Sequence, residues 1–213
     1  MDRPFTLSEG VDSWNTIIFL YRSALKEVST KVEILNDEFQ HRHKYNPIEH
    51  VKSRIKTPES IVKKLKRHGY ESSIENMVRY VNDIAGIRIS CSFTSDIYLI
   101  ADMISKQNDL TILARRDYMK NPKKSGYRSY HMLVTTPVFL SDSIIDTKVE
   151  IQIRTVAQDF WATLEHKMHY KFEGDGPDYI TKELRECARY VAELDARMEE
   201  LNNEIQKYGK KTT

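Results

Sequence analysis

Cysteine is scarce in this 213-residue chain: only Cys91 and Cys187 occur. Neither belongs to a CxxC pair, which excludes a zinc ribbon and argues against a disulfide framework. Both fall at apolar positions of periodic segments, where a free thiol packs as a small hydrophobe. An excess of charge of one sign is also missing. Lys and Arg total 33 against 31 Asp and Glu, a formal net charge of +2. A chain this balanced is not a general polyanion binder, so any anion site must be local. No run approaches the ~20 apolar residues of a membrane span. The start, Met1-Asp2-Arg3-Pro4-Phe5, lacks the basic and then apolar pattern of a leader. The expectation is a soluble cytoplasmic protein with no membrane partner. Internal repeats and low-complexity tracts are absent as well, and the length allows one generous domain with its own core.

What is present is periodic. Trp14, Ile18, Tyr21, Leu25, Val28, Val32, Leu35 and Phe39 step by four and three, the stripe of an amphipathic helix. Asp12 and Ser13 are its candidate caps. A second helix opens at Pro58, where proline is tolerated, and closes at Gly69. In the middle the period becomes two. Ile87, Ile89, Cys91 and Phe93 alternate with polar residues and predict a strand. Ser95 to Lys106 reads as a helix, and Leu110–Leu113 and Tyr130–Pro137 as strands. In Lys148 to Arg154, Val149, Ile151 and Ile153 face one side while Lys148, Glu150, Gln152 and Arg154 face the other. A polar face on so regular a strand reads either as the floor of a site or as an exposed strand. A helix follows with Phe160, Trp161, Leu164 and Met168 on one side, Trp161 being expected to pack it on the sheet. Gly174-Asp175-Gly176-Pro177 breaks it. The last helix carries Leu184, Cys187, Val191, Leu194, Met198, Leu201 and Ile205. The prediction is an α+β domain over 12–205, with a mixed β-sheet flanked by helices and long amphipathic helices at both ends. Residues 1–11 and 206–213 are expected to be flexible.

Chemistry concentrates in three places. Lys123-Lys124-Ser125-Gly126-Tyr127-Arg128-Ser129-Tyr130-His131 combines cations for phosphate oxygens, a glycine for close backbone approach and aromatic faces for a base. Asp83 and Glu150 are two carboxylates that could jointly hold Mg²⁺, which takes carboxylate oxygens together with substrate phosphates. Taken singly, Asp83 is also an ordinary turn residue. Arg54, Lys56, Lys63, Lys64 and Arg67 flank or lie on the second helix. Arg88 and Arg154 sit on strands, where an unpaired charge is costly to bury, and a polyanionic ligand would account for their convergence. His41, His43 and His50 are either a metal cluster or exposed histidines of a connector. His166 has only His169 or Glu165 at metal-ligand spacing.

Four motifs in order carry a resemblance: Asp83-Ile84-Ala85-Gly86-Ile87-Arg88, Gly126 to His131, Glu150-Ile151-Gln152-Ile153-Arg154-Thr155, and Trp161-Ala162-Thr163-Leu164-Glu165-His166. Together they resemble the synthetase domain of the (p)ppGpp synthetases over about residues 12 to 205. The short chain resembles the stand-alone small alarmone synthetases. The hydrolase domain of the long bifunctional relatives carries a His-Asp metal motif, and no His-Asp dipeptide occurs here.

The resemblance implies a nucleotidyltransferase-like sheet and a stringent-response GTP pyrophosphokinase. Such an enzyme moves the β,γ-pyrophosphoryl group of ATP to the 3′-hydroxyl of GTP or GDP and releases AMP. It implies that Asp83 and Glu150 bind Mg²⁺ and that Glu150 takes the hydroxyl proton. Arg54, Lys56, Ser60, Lys64, Arg67 and Arg88 would hold ATP. Arg116, Lys123 and His131 would hold the acceptor's phosphates. Tyr127 would stack on guanine with Gln152 nearby, and Arg154 would belong to the same acceptor site. Asp159, Asn in some relatives, is either an acceptor for guanine N–H groups or a helix N-terminal charge. A homotetramer through the terminal helices is implied too, and an RNA contact is compatible with the same cations. The alternative function is a catalytically reduced nucleotide- or RNA-binding module of the same fold. It predicts loss of Asp83 or Glu150, and both are present.

Overall fold

Val149, Ile151 and Ile153 lose all their exposure to solvent, and the sheet is built outward from the strand that carries them. The computed structural model describes residues 14–43, 45–171 and 177–209. Its elements are α1 (Trp14–Arg42), β1 (Ile48–Ile55), α2 (Pro58–Arg67), α3 (Ile74–Tyr80), β2 (Ala85–Cys91), α4 (Thr94–Ser105), β3 (Thr111–Asp117), β4 (Tyr130–Phe139), β5 (Ile144–Thr155), α5 (Val156–Lys171) and α6 (Asp178–Gly209). The strand order is β1-β2-β5-β4-β3. Only β2 and β5 run parallel, and the other neighbours are antiparallel. The sheet is therefore mixed, and the fold is the expected α+β class with long helices at both ends.

One face of the sheet is apolar and covered. Ile87, Ile89, Met132, Val134 and the β5 trio join Ile17, Val28 and Val32 of α1 and Ile97, Ile100 and Ile104 of α4 in one continuous core. Each such side chain contributes roughly 1.5–3 kcal/mol by leaving water. β4 runs through Pro137, which has no N–H for a ladder. That is tolerated because the β3 ladder has already ended, at the Thr111–Thr135 pair.

Several expectations change. β1 has no counterpart in the sequence reading, because it is a solvated edge strand with only Ile48 buried. Arg54, expected to flank or lie on the second helix, flanks it on this strand. The short helix α3 was not anticipated, and β3, β4 and β5 all run longer than expected. Cys91 is buried, but Cys187 is exposed and does not pack as a core thiol. The α6 stripe is also exposed within one chain: Leu194, Met198, Leu201 and Ile205 stay open while Ala188 and Asp195 turn inward. Trp161 packs on α6, not on the sheet. It clusters with Ala162 and Ala188, and its indole N–H donates to the Leu184 carbonyl at 2.9 Å. Residues 1–11, the caps at Asp12 and Ser13, the break at Gly174 to Gly176 and residues 210–213 lie outside the described residues, whereas 206–209 continue α6. Among the described residues no helix is long and apolar enough to cross a membrane.

Among the described residues two glycines adopt left-handed backbone. Gly69, at φ 77°, ends α2 as expected. Its N–H reaches the Lys66 carbonyl and the Tyr70 N–H reaches the Leu65 carbonyl, both at 3.0 Å, so the last turn's acceptors are satisfied. Gly126, at φ 91°, lies against α6, and a Cβ there would sit 2.5 Å from the Ala188 Cβ. Nothing stands within 4 Å of a Cβ at Gly69. Gly69→Ala should therefore cost only the left-handed penalty of roughly 1–2 kcal/mol. Gly126→Ala should add an overpacking cost of about 1–3 kcal/mol. Denaturant unfolding should rank Gly126→Ala clearly below Gly69→Ala, with Ala188→Gly restoring part of the loss. Equal midpoints would contradict the packing of Gly126 on α6.

Candidate active site

The uncovered face of the sheet is polar, and its register explains how. Residues directly opposite on neighbouring strands point to the same side. One row crosses all five strands: Lys52 on β1, Arg88 on β2, Gln152 on β5, His131 on β4 and Arg116 on β3. The adjacent row runs Arg54, Gly86, Glu150, Leu133. Arg54 packs over Gly86, where a Cβ would lie in ordinary contact with its Cγ and Nε, both at 3.9 Å.

Glu150 is held by two converging arms that start at Arg154, which is only 4% exposed. A guanidinium has donors only, so the Tyr127 hydroxyl accepts from Arg154 at 2.7 Å. Its own proton is then free for His131 Nε2, 2.8 Å away. In the neutral ring this leaves the proton on Nδ1, which faces Glu150 Oε1 at 3.4 Å. In the second arm Arg154 donates to Gln152 Oε1 at 2.5 Å, and Gln152 Nε2 donates to Glu150 Oε2 at 2.8 Å. Burial pushes the Glu150 pKa upward, but His131 and Gln152 outweigh it and hold the carboxyl below its ordinary value. Glu150 is thus an ionised carboxylate at neutral pH.

Asp83 lies in the turn before β2, at the end of the same face. Its two oxygens take Lys56 Nζ at 2.8 Å and Lys64 Nζ at 2.7 Å. Burial alone would raise its pKa, yet the two ammonium groups bring it down to about 2. Asp83 and Glu150 are near enough that the charge on Asp83 opposes ionisation of Glu150.

Asp159, in the first turn of α5, is 9% exposed and is shared among cations. It meets Arg88 at 3.2 Å, Arg154 at 3.4 Å and Lys52 at 4.0 Å. Even so, the Nε atoms of Arg88 and Arg154 are buried with no hydrogen-bond partner among the described residues. Donors left over at buried guanidinium groups are what an additional acceptor would satisfy.

Of the residues singled out from sequence, the structure brings Asp83, Glu150, Lys56, Lys64, Arg54, Arg88, Gln152, His131, Tyr127, Arg154 and Asp159 into one neighbourhood. Lys123 joins through its ammonium, 4.7 Å from the Tyr127 ring and 4.8 Å from that of Tyr118. Arg116 enters through the five-strand row. Ser60 and Arg67 are exposed on α2, Ser60 being engaged with the Thr57 cap. His131 was expected on the acceptor's phosphates, and its partners here are Glu150 and Tyr127. His41, His43, His50 and His166 are exposed, and among the described residues no group of three His, Cys, Asp or Glu is placed to hold a metal. The side chain of His169 lies outside the described residues. Sequence reasoning missed Lys52, although Lys52, Arg54 and Lys56 share one parity, which is the strand signal.

Known proteins resemble this chain in sequence and in fold. Residues 53–175 match the model described as the region found in RelA / SpoT proteins. The chain is 44% identical to the GTP pyrophosphokinase YwaC of Bacillus subtilis over 199 residues, 93% of this chain and 95% of that protein. The fold superposes on the small alarmone synthetase 1 of Bacillus subtilis bound to its product pppGpp. There the TM-score is 0.85 at 35% identity, over 91% of this chain and 98% of that one. The small alarmone synthetase 2 of the same organism gives a TM-score of 0.82 at 43% identity, over 90% and 98% of the two chains. A polar sheet face carrying two ionised acids among surplus cations, on this topology and with this likeness along the chain, establishes that the protein belongs to the RelA/SpoT-type small alarmone synthetases.

Proposed function

We propose that this protein is a GTP pyrophosphokinase that converts ATP and GTP or GDP into AMP and (p)ppGpp, acting only in the direction of synthesis. The observation that carries the reading is the pairing of ionised Glu150 and Asp83 on a sheet face whose cations outnumber its carboxylates. A polyphosphate supplies the missing negative charge. Pyrophosphoryl transfer asks mainly for positioning and charge stabilisation, which such a face provides.

Arg54, Lys56, Lys64, Arg67 and Arg88 hold ATP. Lys56 and Lys64 turn from Asp83 to phosphate oxygens when the nucleotide arrives, and Ser60 adds a hydroxyl. Arg116 and Lys123 receive the acceptor's phosphates, and the Tyr127 ring, steadied by Arg154, stacks on guanine. Gln152 and Asp159 border the same base. The 3′-oxygen attacks the β-phosphorus and forms the new O–P bond. The bond from that phosphorus to the bridging oxygen breaks, and AMP leaves with the oxygen. The hydroxyl proton passes to the Glu150 carboxylate, kept ionised for it by Gln152 and His131. Asp83 and Glu150 are hard oxygen donors, one from the turn before β2 and one from β5, which suits Mg²⁺. When bound there, the ion supplies positive charge to the transferred phosphoryl oxygens. A cytoplasmic location is part of the same reading, supported by its use of ATP and GTP.

The same reading includes a homotetramer. It is supported by the exposed apolar stripe of α6, where Leu194 is 54% and Leu201 46% exposed, and by Phe160 on α5 at 65%. Contiguous apolar surface of this kind marks association.

A turnover assay tests the site assignments and light scattering tests the assembly. With ATP, GTP and Mg²⁺, the wild type should form pppGpp and AMP in equal amounts. Glu150→Gln should lose at least ~10²-fold in turnover while keeping its unfolding midpoint. In the same assay Tyr127→Ala should raise KM for GTP by the loss of ~1–3 kcal/mol of stacking, and Arg54→Ala should raise KM for ATP. Normal turnover in folded Glu150→Gln would remove Glu150 from the chemistry. For assembly, light scattering should give four times the mass of one chain. Leu194→Glu or Leu201→Glu should yield smaller species that still fold, because these side chains are exposed within one chain. A wild-type monomer at micromolar concentration would end the tetramer reading.

A further inference from the structure

Lys148 is a half-buried lysine that the proposed chemistry does not use. It lies two residues before Glu150 on β5, on the same polar face. Its ammonium has three donors, and all are placed on one short segment. They reach the Val78 carbonyl at 3.1 Å, the Arg79 carbonyl at 3.3 Å and Asn82 Oδ1 at 3.1 Å. The two carbonyls belong to the last turn of α3, where a cation is favoured by the helix dipole and satisfies acceptors with no helical partner. Asn82 is the residue before Asp83.

The turn carrying Asp83 is thereby fixed on both sides. On its far side, the Lys56 N–H donates to the Ile84 carbonyl at 2.8 Å, and the β2–β5 ladder begins with Gly86 beside Glu150. On its near side, the tether is Lys148. The ammonium groups of Lys56 and Lys64 also hold Asp83, but they are the ones that polyphosphate draws away. The proposed chemistry gives Lys148 no phosphate to hold, so its contacts to Val78, Arg79 and Asn82 stay with the turn. Since Lys148 and Glu150 are alternate residues of one strand, they stand a fixed distance of about 7 Å apart along the backbone. One strand thus carries one acid directly and anchors the turn that carries the other.

We propose that Lys148 is a positioning residue that sets the separation of Asp83 from Glu150 and so the affinity of that pair for a divalent cation. This rests on the reading of the two acids as the metal-holding pair. Residues that orient metal ligands typically change metal affinity by about 10–100-fold when removed. Lys148→Met, which keeps the stem and loses the donors, should weaken Mn²⁺ binding by that factor. Electron paramagnetic resonance of the full chain with a non-hydrolysable ATP analogue measures this directly. The Mg²⁺ concentration for half-maximal synthesis should rise in parallel, with KM for GTP unchanged within twofold. Asn82→Ala cuts the same link from the other end and should shift both readings in the same direction. In the Lys148→Met background it should add nothing.

A Lys148→Met protein that melts earlier but binds Mn²⁺ as the wild type does would overturn the proposal, leaving Lys148 a helix cap only. If Lys148→Met fails to fold, unchanged Mn²⁺ affinity in Asn82→Ala overturns it equally. A wild type that neither binds Mn²⁺ nor needs a divalent ion would instead overturn the metal reading of Asp83 and Glu150.

Discussion

The structure depends on one imbalance, positive charge gathered on a sheet face that has too few acids to neutralise it. Asp83 is divided between two lysines and Asp159 among two arginines and a lysine. Buried guanidinium nitrogens of Arg88 and Arg154 still lack acceptors among the described residues. Removing cations from water without full compensation is costly, and the apolar core on the opposite face offsets that cost. Because covered and polar faces alternate along the same strands, the residues that stabilise the sheet, Val149, Ile151 and Ile153, also aim Glu150, Gln152 and Arg154. Core and site are two parities of one strand.

The acids are arranged so that their ionised state is secured before any ligand arrives. Glu150 is buried enough to favour the neutral form, yet the donors organised by Arg154 reverse this. The network runs from β5 through Tyr127 to β4 and back, so its geometry depends on the 123–127 loop. That loop rests on α6 through Gly126 and Ala188. α6 also holds two helix starts. Buried Asp195 accepts from Thr155 and Gln158, both at 2.7 Å, at the start of α5, and Glu199 accepts from the Ser95 N–H at the start of α4. The outer side of this helix is the exposed apolar stripe, so the element that frames the site is also the one with surface left to bury.

Much of this was legible in the sequence where the signal is local. β5 announced both of its faces through strict alternation, and Asp83, Arg88, Tyr127 and Glu150 stood out through residue type and spacing. β1 did not, because an edge strand that buries only Ile48 has no apolar alternation to display. The short helix α3 buries little beyond Met77 and Val78 and leaves an equally faint trace. The roles of Lys148, Asp195 and His131 were invisible for another reason. Lys148 finds its partners about 70 positions away and Asp195 finds Thr155 40 positions away, separations that only the folded sheet closes. Trp161 misled because amphipathic periodicity marks an apolar face without saying what covers it.

The measurement that tests the charge imbalance most directly is thermal unfolding against nucleotide concentration at fixed ionic strength. A ligand that binds only the folded state stabilises it in proportion to the logarithm of its concentration over Kd. ATP with Mg²⁺ and GTP should each raise the midpoint progressively, their effects should combine when both are present, and Arg88→Gln should reduce the response. A midpoint indifferent to either nucleotide at millimolar concentration, or moved equally by sulfate of matched ionic strength, would contradict a face built to receive two polyphosphates.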